Sequence, residues 1–239
     1  MGYKRLSSGE RQLWARLSAL VMAVSVSAAM GCSTAHAGGP PETETPNAER
    51  KRNQPPVYPP DEFSRDATDD DKDECPEVEL IEYEGEFVSY NRTIEVNPYF
   101  KERLRMFERV VHEAATEVYG RPPDEIITYG GHVCKTVGGK GEKWSEHTFG
   151  NAIDVSGFVF DDYEGDGDVS GKAREAFRVT LEDHWNARTG FSKKHRRFLR
   201  EVFDTLAEQG VFKGMLGPAY PGHAKIFHMD NGLQWFHRY

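Results

Sequence analysis

The tightest constraint on the fold is the run from Ala152 to Phe160, Ala-Ile-Asp-Val-Ser-Gly-Phe-Val-Phe. It reads as an apolar strand, yet it carries Asp154. A carboxylate on such a strand is costly unless it is paired or bound to a metal. His147 precedes Asp154 by seven residues, across Gly150 and Ala152, and His228 stands far down the chain in Phe227-His228-Met229-Asp230. His, Asp and His are three ligands of the type a divalent zinc ion takes, with a fourth position left for water. Spacings of this kind also arise by chance, from a loop histidine, a strand-end carboxylate and an unrelated histidine. The flanking residues decide between the two.

With 239 residues the chain has room for one ordinary domain and accessory segments. Lys4, Arg5, Arg11 and Arg16 precede an apolar run from Leu17 to Met30, too short to cross a bilayer comfortably, the form of an export signal over 1–31. Two cleavage sites compete. Ala29-Met30-Gly31-Cys32 is similar to a bacterial lipobox, with Cys32 lipidated, and Ala35-His36-Ala37 supports ordinary cleavage after 37. The reading is a protein exported to the bacterial cell envelope, periplasmic and lipid-anchored at Cys32. The leader carries four basic groups and one acid (Glu10), so its loss moves the formal charge from −9 to about −12. So acidic a chain has no general attraction for nucleic acid or for an anionic membrane, and a membrane contact would have to be the lipid. Residues 32–74 are rich in Pro, Glu, Asp and Lys and poor in apolar side chains, which predicts a disordered tether. Beyond Cys32 only Cys75 and Cys134 remain, and in an exported protein two such thiols predict a disulfide.

The folded part is expected over 75–239. Val78 to Tyr83 and Phe87 to Val96 read as short strands with a turn at Glu84-Gly85. The clearest helix follows. Asn97 caps it, Pro98 suits its first position, and Phe100, Leu104, Phe107, Val111, Ala114 and Val118 make one apolar face before Gly120 and Pro122 stop it. Glu125 to Tyr129 reads as a strand, Arg174 to Trp185 as helical or loop-rich, Lys193 to Gln209 as a second helix, and Ala224 to Asp230 as the last strand. The 161–168 segment is acidic, but Ala173 stands where a calcium loop needs its closing Glu, so it reads as a solvated loop. Strands and helices out of simple alternation predict an α+β fold, a small antiparallel sheet with flanking helices.

Ser145-x-His147-x-x-Gly150-x-Ala152-x-Asp154 resembles the S-x-H-x-x-G-x-A-x-D pattern of the D-Ala-D-Ala carboxypeptidase-like zinc metallopeptidases, which cut peptide bonds in peptidoglycan. The chain is more similar still to the bacterial extensin-like C-terminal domain, through Val133-Cys134-Lys135, Ser145-Glu146-His147, Gly150 to Phe158, Leu216-Gly217-Pro218-Ala219-Tyr220 and Phe227 to Asp230. The resemblance implies a metallopeptidase-like fold. It implies Zn2+ held by His147, Asp154 and His228, with a zinc-bound water as nucleophile on peptidoglycan stem peptides. It implies substrate contacts from Ser145 and from Lys135, which stands where the relatives carry an Arg. Lysine keeps the charge but not the bidentate fork. Asp230 is expected to steady His228 from behind.

One departure qualifies the enzyme reading. The metallopeptidases place a general base just before the last histidine ligand, as E-x-x-H or H-x-H. This chain has Lys225 and Ile226 there. His223 is the nearest alternative base; on a regular strand its odd offset from His228 would put it on the opposite face, and a turn or bulge after Gly222 would change that. Glu146 and His132 are weaker candidates. Two functions therefore stand side by side: a zinc-dependent stem-peptide hydrolase, and a metal-binding envelope module that holds wall peptides or a partner without cutting.

Overall fold

The computed structural model describes residues 64–67, 75–139, 142–169 and 171–239. The expectations for the leader at 1–31, for cleavage after 37, for lipidation of Cys32 and for most of the tether lie outside the described residues.

In chain order the strands are β1 (Ile81–Tyr83), β2 (Ser89–Tyr90), β3 (Ile94–Val96), β4 (Glu125–Gly130), β5 (Ala152–Phe160), β6 (Phe177–Thr180), β7 (Gly214–Leu216), β8 (Phe227–Asp230) and β9 (Phe236–Arg238). The helices are α1 (Pro98–Tyr119), the single turn α2 (Leu181–His184) and α3 (Ser192–Glu208). The class is α+β. β1 and β3 form a two-stranded antiparallel sheet, and the other seven strands form a larger one in the order β2-β4-β5-β8-β7-β9, with β6 also on β5. Its centre is antiparallel, while the outer pairs β2–β4 and β7–β9 run parallel.

Alternation along the strands sorts their side chains onto two faces. Ile153, Val155, Phe158, Phe160, Met215, Phe227 and Met229 share one buried cluster with Phe100, Leu104 and Phe107 of α1 and Phe198, Val202 and Phe203 of α3. The opposite face carries Asp154, Ser156, His228, Asp230 and Leu216, all half-buried. The functional candidates thus sit on the face that the two long helices leave open.

α1 follows its sequence signals closely. Asn97 Oδ1 accepts the Tyr99 N–H at 3.0 Å, and Gly120 ends the helix in the left-handed region at φ 83°. The periodicity misses Glu108, which is fully buried and accepts hydrogen bonds from Tyr83 Oη (2.7 Å), Glu86 N (2.8 Å) and Phe87 N (2.9 Å). Those donors satisfy a charge that burial would otherwise make prohibitive.

Two expectations need correction, and two strands come without one. Part of 174–185 is strand β6, pinned to β5 before one helical turn begins at Leu181. Residues 214–216 and 236–238 are strands that their own short sequences do not announce. The domain also reaches back into the tether: Ala67 N donates to Glu142 O and Trp144 N to Arg65 O, both at 2.7 Å. In the acidic segment the carbonyls of Tyr163, Gly165 and Val169 receive hydrogen bonds from the Arg174 guanidinium, which folds the loop back on itself. The Cys75–Cys134 disulfide is present, with Cα atoms 6.1 Å apart.

Candidate metal centre

β5 and β8 pair so that Asp154 and His228 are direct cross-strand partners, which brings their side chains together on one face. His147 arrives from the 3-10 turn Glu146–Phe149, immediately before β5. That turn has a local cause. The Ser145 hydroxyl accepts the His147 N–H at 3.4 Å, and Gly150 closes the turn at φ 61°, a conformation L side chains resist. The small-residue spacing between His147 and Asp154 is therefore what folds the histidine back over the strand.

The three groups converge. His147 Nε2 lies 3.1 Å from His228 Nδ1 and 3.3 Å from Asp154 Oδ2, and His228 Nδ1 lies 3.0 Å from Asp154 Oδ1. Each ring is anchored on its far side. His147 Nδ1 donates to the Gly131 carbonyl at 2.5 Å, and His228 Nε2 donates to Asp230 Oδ2 at 3.0 Å. With both outer nitrogens donating, the inner nitrogens of neutral rings present lone pairs to each other and to a carboxylate. Only a cation, either a proton or a metal ion, reconciles three acceptors so placed.

The donor set fits a metal. Ligands about 2.0–2.2 Å from a tetrahedral zinc ion stand roughly 3.3–3.5 Å apart, close to the separations present here. Electrostatics favour a positive charge at the same point, whether a proton or a metal ion. Burial opposes charge on Asp154, but the hydrogen bonds and charges of His147 and His228 outweigh it and hold the carboxyl well below the usual carboxylate range. Burial likewise opposes charge on His228, and the flanking Asp154 and Asp230 overcome it, pushing the imidazole up to about 9.

The remaining predicted residues are placed as follows. Lys135 Nζ is 3.8 Å from Asp154 Oδ2 and exposed, a positive charge at the rim. Ser145 is buried and caps the turn that carries His147. Asp230 backs His228 and also accepts the Gly232 N–H at 2.7 Å. Lys225 turns away to pair with Glu182 at 2.8 Å. Glu146 is committed to Arg65 and Asn151.

His223 is not on a regular strand, because β8 begins only at Phe227. Its segment is a chain of turns through Gly222, at φ 84°, and it brings the His223 ring to 6.0 Å from that of His228, centroid to centroid. His223 Nδ1 donates to Pro221 O at 3.2 Å, so Nε2 keeps its lone pair.

Sequence reading missed three supports. Gly131 supplies the carbonyl for His147. Gly214 leaves the space that Asp230 fills, since a Cβ there would stand 2.0 Å from Asp230 Oδ2. Tyr220 packs edge-on against His223 at 5.3 Å. The glycines were visible as residues; their reason depends on backbone approach between distant segments.

Fold and site together define an α+β domain with a convergent His-Asp-His cluster on the open face of its sheet. The chain belongs to the Extensin-like protein C-terminus family, whose model matches residues 60–237. No curated protein and no solved structure matches it.

Proposed function

We propose that the protein is an exported zinc-dependent hydrolase that cleaves peptide bonds in peptidoglycan stem peptides, akin to the D-Ala-D-Ala carboxypeptidase-like metallopeptidases and held at the envelope by its lipidated N-terminus. One observation carries the reading: both histidines are locked by their outer nitrogens, so that their inner lone pairs meet the Asp154 carboxylate at 3.0–3.3 Å. An ion bound by His147, Asp154 and His228 would polarise the scissile carbonyl and activate water. The chain's own residues supply the rest. Lys135 attracts a substrate carboxylate or a developing negative charge from the rim, and His223 Nε2 receives the proton that leaves the water. Asp230 keeps His228 in the tautomer that offers Nδ1.

A second reading is favoured by Lys225 and Ile226. The positions just before the last ligand carry no proton acceptor, and Lys225 is engaged with Glu182. On that reading the cluster binds metal and wall peptide without turnover.

Metal content of the purified chain and turnover of defined muropeptides separate the possibilities, with His147→Ala as control. The hydrolase is expected to hold about one zinc per chain and to lose both metal and turnover in His147→Ala. His223→Ala should keep its metal and lose roughly 10²–10⁴-fold in turnover. Bound metal with wild type and His147→Ala equally inert supports the binding module instead, and the absence of metal from the wild type ends both readings.

A further inference from the structure

The register of the sheet places a second group in line with the metal cluster. Asp154 pairs with His228, His228 with Leu216, and Leu216 with Arg238 of the edge strand β9. Cross-strand partners share a face, so these four residues form one row across the open side. Strands lie about 4.8 Å apart, which puts the Arg238 backbone about 10 Å from that of His228, the span of about three extended peptide residues.

Arg238 is exposed, and its guanidinium lies over the Phe236 ring at 5.6 Å. Among the described residues no carboxylate pairs with it. Phe236 is on the same face, two residues back. From it a continuous wall of rings leads to the cluster: Phe236 to Tyr220 at 5.8 Å, Tyr220 to His223 at 5.3 Å, and His223 to His228 at 6.0 Å. Leu216 lies between the cluster and Arg238 as an apolar floor. A planar guanidinium held against an aromatic face and free to form a fork is suited to a carboxylate.

We infer that Arg238, with Phe236 and Tyr220, forms a recognition subsite for a carboxylate of an extended acidic peptide, about three residues from the bond held at the His147–Asp154–His228 cluster. The inference rests on the proposed function for its choice of ligand, but it concerns binding and not turnover.

The test uses synthetic stem pentapeptides in which one carboxylate at a time is converted to its amide. Affinity for the zinc-loaded protein is measured by calorimetry, and hydrolysis of the same peptides is followed separately. At one position the acid should bind about tenfold more tightly than the amide. Arg238→Gln should erase that preference, and Arg238→Lys should keep part of it. A preference that is absent, or that survives in Arg238→Gln, overturns the subsite and leaves the hydrolase standing if turnover persists. A preference erased in Arg238→Gln, in a protein that never cuts, keeps the subsite and removes the hydrolase. If the wild type binds neither acid nor amide, both fall.

Discussion

Asp230 shows how much of the candidate centre depends on a residue that is not one of the three that converge. Its carboxylate accepts from His228 Nε2 and from Gly232 N, and it fits only because Gly214 opposite has no side chain. Removing such a partner typically costs a site 10–100-fold in metal affinity. Asp230→Ala should therefore weaken zinc by about that factor in a chelator competition, with little change in thermal stability. Gly214→Ala should reproduce the loss by pushing the carboxylate aside, and it should also lower stability, because the methyl has no room. Equal zinc affinity in wild type and both variants would show that Asp230 does not orient His228 for a metal. At this scale the pairing of His147 with Asp154 was legible in the sequence, because one short turn, closed by Gly150, joins the histidine to the strand that carries the carboxylate. His223 was not. Its placement beside His228 comes from the turns at Tyr220 to Gly222, where strand periodicity does not apply.

The element that couples site and scaffold is the turn Glu146–Phe149 with its closing glycine. Asn97, the cap of α1, donates its backbone N–H to Gly150 O at 2.8 Å, so the start of α1 is docked on the turn that carries His147. A Cβ on Gly150 would meet Asn97 N at 2.6 Å, in a backbone conformation already unfavourable for L residues. Gly150→Ala should lose about 1–3 kcal/mol of unfolding free energy in urea titration and weaken metal binding together. Loss of stability with unchanged metal affinity would mean that the turn and the cluster are not coupled. The long elements were readable because each carries its own signal: caps for α1, a 3.6-residue period for α1 and α3, a mainly apolar run for β5. β6, β7 and β9 are three or four residues long and owe their conformation to partners far away in the chain. No local pattern could announce them.

For the molecule as a whole, the disulfide and a buried histidine set the conditions of stability. Cys75 and Cys134 are 59 residues apart, and closing a loop of that size in the unfolded chain is worth about 4 kcal/mol by the chain-entropy estimate. Cys134 adjoins Lys135, so the bridge also tethers the rim charge. Replacing both cysteines with serine should lower unfolding free energy by roughly 2–4 kcal/mol, and an unchanged urea midpoint would count against this role. His195 is buried with its Nδ1 2.9 Å from Tyr119 Oη and its ring 4.6 Å from that of His184. Burial, with the neighbouring His184 charge, pushes it down to about 4. An unfolded histidine titrates near about 6.5, so between these values the unfolded chain takes up a proton that the folded one refuses. That contribution to stability is full above about pH 6.5 and is lost as pH falls towards 4. The urea midpoint of the wild type should drop across this window more steeply than that of His195→Gln; parallel profiles would show that His195 is not the cause.

The sequence by itself determined the long helices, the central strand and the approach of His147 to Asp154, since each is encoded by neighbours within about ten positions; His228 joins them only through the pairing of β8 with β5. Tertiary structure alone decided the seven-stranded order, the recruitment of 64–67, the outward turn of Lys225 and the approach of His223. It also decided the row that aligns Arg238 with the cluster. Those features depend on which distant backbones hydrogen-bond to one another. Pairing energy is shared among all the strands that compete for an edge, and no single stretch of chain carries it.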